Sequence, residues 1–186
     1  MFHRHFFFQE PFYDERKTKR GIVMVSLLFI SLYYLLSLRL AWTDYKTGLL
    51  PDRLTCPLLW SGLAFYLLWK DDFLQAAVSG AIAGYLFFWT VYWVFKRWRG
   101  YEGLGFGDVK LLAALGAWHG WQEIAAIVFL AAAGGLITLI AGATLFHRQQ
   151  ILKTPQPFGP FLVAAGLIVS CRTFYAPVEQ SIMTLL

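Results

Sequence analysis

The chain has 186 residues, of which 58% are hydrophobic and only 15% charged, against about 45–50% and about 25% in a soluble domain. That composition excludes a water-soluble globular enzyme. It predicts an all-α, polytopic membrane helix bundle, with room for about six transmembrane helices of about 20 residues and for short loops, but not for a second globular domain. The net charge of +5 belongs to the loops of such a bundle and is no sign of nucleic acid as a partner.

Residues 1–20 read as a tail and residues 21–186 as one membrane-embedded domain. The tail has only a short apolar stretch, Phe6-Phe7-Phe8, followed by a polar, basic segment to Arg20, which is not the pattern of a secretory leader. Its aromatics suit the membrane interface, with Arg16, Lys17, Lys19 and Arg20 facing lipid head groups. His3 and His5 are spaced for a metal, but a solvated tail is the expectation. Spans are expected at about 22–42, 54–69, 74–95, 109–119, 122–146 and 158–176. A polar loop, Thr43 to Arg53, follows the first, and another, His147 to Pro157, follows the fifth. Lys70-Asp71-Asp72 ends the second, and His119-Gly120 breaks the chain after the fourth. The fourth is short for a 30 Å core and needs shielding by its neighbours or a water-filled dip. Cys56 and Cys171 form no Cys-x-x-Cys, so a structural zinc site is not expected. A disulfide stays open as an alternative, but Cys56 lies in an apolar run and reads as a buried thiol.

With six spans, the loops after the first, third and fifth share a side. That side holds Arg39, Lys46, Arg53, Lys96, Arg97, Arg99, Lys110, Arg148 and Lys153, nine of the sixteen basic residues, and the opposite loops hold only Lys70 and Arg172. The basic side is expected to be cytoplasmic. The five basic residues of the tail conflict with this, and Glu10, Asp14 and Glu15 dilute them.

Two aspartates fall on that basic side at helix–water boundaries. Asp44 ends the first apolar run, and Asp108 closes the turn Gly105-Phe106-Gly107-Asp108 and opens the fourth. Carboxylates are costly at such boundaries and are functional candidates, and a pair of them points to acid–base work on one water. Gly103, Gly105 and Gly107 would let backbone or an extended substrate approach closely and tolerate positive φ. The bland alternatives are an N-cap role for Asp108 and an interfacial pairing of Asp44 with Lys46 or Arg53.

Two longer blocks contain these aspartates. Asp44-x-Lys46-x-x-x-Leu50-Pro51-Asp52-x-Leu54-Thr55, continuing through Pro57-Leu58-Leu59-Trp60-x-Gly62-Leu63, resembles the first block of the type IV prepilin peptidases. Gly105-Phe106-Gly107-Asp108-Val109-Lys110 through Trp118 resembles their second, the block for which the GxGD membrane aspartyl proteases are named. Pro157-Phe158-Gly159-Pro160-Phe161 resembles their closing motif. The likeness covers roughly residues 39–170. It implies a bacterial inner-membrane endopeptidase that removes the basic leader of type IV prepilins or type II secretion pseudopilins at the cytoplasmic face. It also implies Asp44 and Asp108 as the catalytic pair, and gives Lys46, Asp52, Gly105, Gly107 and Lys110 supporting or substrate-contacting places. Long family members carry two Cys-x-x-Cys pairs near the N-terminus and many methylate the new N-terminus with S-adenosylmethionine. This chain shows no such module, so methyl transfer is not expected of it.

The resemblance calls for no metal and no cofactor. Competing protease signatures, His-Glu-x-x-His and Gly-x-Ser-Gly at Ser61 or Ser79, are absent from the sequence. Acidic Asp52 and Glu102 would attract a basic leader, while Lys96, Arg97 and Arg99 would oppose it and bind anionic lipid. The rival readings are a small proton-coupled transporter, against which the lack of repeated halves counts, and a catalytically silent pilus or secretion assembly partner, against which both aspartates count.

Overall fold

A computed structural model describes residues 15–69, 71–99, 105–145 and 157–183. The expectations for His3 and His5, for Lys70, Glu102 and Gly103, and for the loop from His147 to Gln156 lie outside the described residues. The described chain is all helix: α1 (Glu15–Thr47), α2 (Asp52–Trp69), α3 (Asp71–Arg99), α4 (Phe106–His119), α5 (Ile124–Leu145) and α6 (Gly159–Met183), with one turn of 3-10 helix, Trp121–Glu123, before α5. Six helices are thus present, as composition predicts. Among the described residues three stretches, Val23–Thr47, Asp72–Trp98 and Trp121–Gly142, are long and apolar enough to cross a membrane.

Several boundaries differ from the sequence reading. Helix α1 starts inside the expected tail and runs past the apolar stretch to Thr47. No Gly or Pro stands between Trp42 and Gly48, so nothing stops the backbone where the hydropathy falls. Its stop is Gly48, whose φ of 64° is a left-handed conformation that glycine reaches without steric cost. The Gly48 N–H closes on the Asp44 carbonyl at 2.7 Å.

Helix α4 is the centre of the bundle. Its 14 residues span about 21 Å, and residues 111 to 120 are all buried. It lies against α3, α2 and α6, and more lightly against α5. Small residues make the α3 contact close. A Cβ on Gly80 would meet the Gly116 carbonyl, and one on Gly84 would lie 2.7 Å from the Leu112 carbonyl oxygen, so the two backbones touch directly. The short span expected at 109–119 is shielded by its neighbours and need not match the bilayer thickness.

At the far end of α4 the polar groups find partners. Trp118 Nε1 donates to the Leu58 carbonyl at 2.8 Å and Tyr66 donates to the Trp118 carbonyl at 2.7 Å. His119 Nε2 pairs with the Tyr33 hydroxyl at 3.0 Å, and its Nδ1 with Thr173 at 3.3 Å. Gly120, at φ 79°, then breaks the helix. Leu28, Leu35, Leu67, Phe129, Ile137 and Ile140 are exposed, which in a membrane bundle is the lipid-facing surface. Cys56 is exposed as well, against the expected buried thiol. In a membrane segment an apolar run does not distinguish the lipid face from the bundle interior.

Candidate active site

Asp44 stands on the last turn of α1, not in a loop. The Thr43 and Thr47 hydroxyls donate back to the carbonyls of Arg39 and Thr43, one turn earlier, both at 2.8 Å, so these side chains are satisfied within the helix. The Asp44 side chain is turned inward and only 4% exposed. Its Oδ2 accepts the backbone N–H of Gly159, the first residue of α6, at 2.9 Å. The alternative pairing with Lys46 or Arg53 is not what the structure shows.

Asp108 is the third residue of α4. The helix N-cap is Gly105, which is extended (φ −67°, ψ 135°) and makes no side-chain cap bond. Asp108 is therefore not the N-cap, and Gly105 does not use positive φ. Gly105 matters through space: a Cβ there would lie 3.2 Å from Asp108 Oδ2. Gly107 likewise makes room, since its Cβ would sit 2.8 Å from the Cβ of Leu50. That contact seats the α1–α2 connection against the start of α4.

Asp108 is 6% exposed and precedes the apolar stretch that begins at Val109. Burial pushes its carboxyl up to about 7, the charge of Asp44 pushes the same way, and a backbone hydrogen bond at Gly105 pulls back. The two carboxylates thus come from α1 and α4 close enough for the charge of Asp44 to act on Asp108, and both are buried. Two like charges so placed do not both ionise cheaply, and they titrate as a pair.

The other expected residues form the rim. Lys110 Nζ pairs with Asp52 Oδ1 at 2.6 Å, tying the second turn of α4 to the first residue of α2. Lys46 is exposed and lies over the Trp42 ring, 4.6 Å from its centroid; the structure does not bring it to the carboxylates. Phe106 is partly exposed and meets Tyr85 and Tyr92 edge-on. Gly159 had a signal in the sequence, the Pro157–Phe161 motif, but nothing in that motif assigned it a partner 115 residues away.

The type IV leader peptidase family matches residues 26–140. Leader peptidase HopD of Escherichia coli is 51% identical over 151 residues, covering 81% of this chain and 97% of that protein. Leader peptidase HopD of Salmonella typhimurium is 46% identical over 156 residues, 82% of this chain and 98% of that protein. A prepilin leader peptidase/N-methyltransferase of Burkholderia pseudomallei is 52% identical over 124 residues, 66% of this chain but only 39% of that longer protein. No solved structure matches the chain. The match over more than half of the chain, with both aspartate blocks inside it, decides the matter: the chain belongs to the type IV leader peptidase family.

Proposed function

We propose that this membrane peptidase cuts the basic leader from prepilins or pseudopilins, using Asp44 and Asp108 as its catalytic pair. One observation carries the assignment of the pair: two buried carboxylates, from helices far apart in sequence, lie close enough for the charge of Asp44 to act on Asp108. Asp108 holds the shared proton and Asp44 acts as base. Asp44 draws a proton from a water molecule as the water oxygen attacks the scissile carbonyl carbon. The carbonyl π pair moves onto oxygen, which Asp108 steadies through its O–H. When the intermediate collapses, the C–N bond breaks and Asp44 returns its proton to the leaving amine. No cofactor enters these steps. The substrate's apolar helix packs beside the bundle while its leader stays in water, near the exposed Tyr45, Leu49 and Phe106.

Co-expression with a panel of prepilins, followed by mass spectrometry of the pilin N-terminus, tests the activity. A trimmed N-terminus is expected for at least one substrate, and a panel left uncut overturns the reading. We place the site at the cytoplasmic face of a bacterial inner membrane, from the nine basic residues that share its side. In a chain whose Cys56 and Cys171 are replaced, a cysteine at Gly48 should resist a membrane-impermeant thiol reagent in intact cells, and one at Asp72 should react. The opposite pattern inverts the orientation.

A further inference from the structure

We infer that Gly159 is a positioning residue for the reaction, holding Asp44 in the one orientation that leaves its second oxygen to the attacking water. This rests on Asp44 being the base. The Gly159 N–H is at the start of α6, where a helix leaves its amides without internal partners. The Phe158 carbonyl takes the N–H groups of Phe161 and Leu162 at 3.1 and 3.2 Å, and Pro160 has no N–H to offer. Gly159 supplies the donor, and it reaches Asp44 Oδ2 at 2.9 Å in a buried setting.

The residue type follows from space. A Cβ at position 159 would stand 2.5 Å from Asp44 Oδ2 and 2.9 Å from its Cγ, closer than any side chain could remain. Only glycine provides both the donor and the room. The α6 start is itself held in place: the Phe158 ring packs on Phe88 of α3, with centroids 6.2 Å apart, and on Phe161 at 6.5 Å. The motif at 157–161 thereby fixes a carboxylate on α1 through its backbone.

Gly159→Ala should lower kcat about 100-fold, the scale of loss from a small misplacement of a reacting group, with KM unchanged. Gly166→Ala is the comparison on the same helix, since its Cβ would crowd Leu115 Cδ2 at 2.8 Å far from the carboxylates. It should reduce the yield of folded protein without changing kcat per folded molecule. A parental kcat in Gly159→Ala, or a raised KM at parental kcat, overturns the inference. A second measurement does not require that variant to fold. The chain has two Phe–Gly steps, Phe106–Gly107 and Phe158–Gly159, so carbonyl-labelled Phe with nitrogen-labelled Gly gives two amide signals, the second identified by its loss in Phe158→Leu. In Asp44→Ala the Gly159 amide proton should move upfield while the Gly107 signal stays, and an unmoved Gly159 signal overturns the inference. If Asp44→Asn still cleaves, the aspartyl reading itself has failed. If Asp44→Asn is dead and Gly159→Ala is parental, only the role of Gly159 has failed.

Discussion

The two ends of α4 solve opposite problems with buried polar groups. At the Trp118–His119 end, neutral donors and acceptors meet: Trp118 with Leu58, Tyr66 with Trp118, and His119 with Tyr33 and Thr173. Such a network fixes the packing and has little reactivity left. At the other end, Asp108 and Asp44 are just as buried, yet among the described residues neither is paired with a cation. One backbone N–H reaches Asp44, and the charge of Asp44 opposes the ionisation of Asp108. The proposed chemistry is thus placed where the electrostatics are unfavourable and the fold holds them so.

The sharpest way to break this comparison is to neutralise the charged end. Asp44→Asn and Asp108→Asn each keep the side-chain shape and remove the proton exchange. Each should cut leader cleavage by about 10⁴-fold or more, and the double variant should be no worse than either, because the pair works as a unit. Both should still insert and fold. Near-normal cleavage by either purified variant would end the aspartyl mechanism.

The opposite end should respond in the opposite currency. Trp118→Ala empties a fully buried site and strips the Leu58 and Tyr66 bonds of their geometry, so unfolding in detergent should show a loss of about 3–5 kcal/mol. Activity per folded molecule should survive. Tyr66→Phe, which leaves the Trp118 carbonyl without its donor, should cost about 1–3 kcal/mol. A Trp118 variant that is stable but inactive would mean that the two ends are not separable.

A third test reads the charge directly. Asp108, held up at about 7, must be protonated to serve as the acid, so kcat/KM should fall as pH rises past about 7. Stability should follow the same sign. Between its ordinary value of 3.8 and about 7 the folded protein holds a proton that the unfolded chain has released, so stability declines as pH rises through that window. Asp108→Asn should flatten that slope, measured by unfolding across pH. A stability that rises over this range would contradict the burial of a protonated Asp108.

The helix count was legible in the sequence because each helix is written locally, as an apolar run, and the two aspartates stood out as candidates because contiguous motifs carry them. What was not legible depends on direction. The hydropathy drop after Trp42 marks where lipid ends, not where hydrogen bonding ends, so Asp44 read as a loop residue although α1 carries it to the helix stop at Gly48. Asp108 read as a possible N-cap because the turn's glycines looked like loop, yet Gly105 takes that place in an extended conformation. Cys56 read as buried because an apolar span has two apolar faces. The Gly159–Asp44 bond joins elements at opposite ends of the chain, and no periodicity announces such a contact.

The smallest effect is expected at the rim, and it tells whether the rim belongs to the charged end. Lys110 follows Asp108 by two residues and sits on the same helix turn, but its ammonium is committed to Asp52 at 2.6 Å, with the Asp52 side chain 60% exposed. An exposed pair of this kind contributes about 0–1 kcal/mol, so Asp52→Asn should scarcely change the unfolding midpoint and should leave kcat within the range of ordinary surface variants. The informative reading is the pH profile. If the Asp52 bond only ties α2 to α4, the fall in kcat/KM near pH 7 stays where it is. If it also keeps a positive charge away from Asp108, the freed lysine favours the ionised carboxylate, and the fall moves to lower pH. The geometry favours the first outcome, because Lys110 also lies over the Phe106 ring, 5.6 Å from its centroid, a position the loss of Asp52 does not disturb.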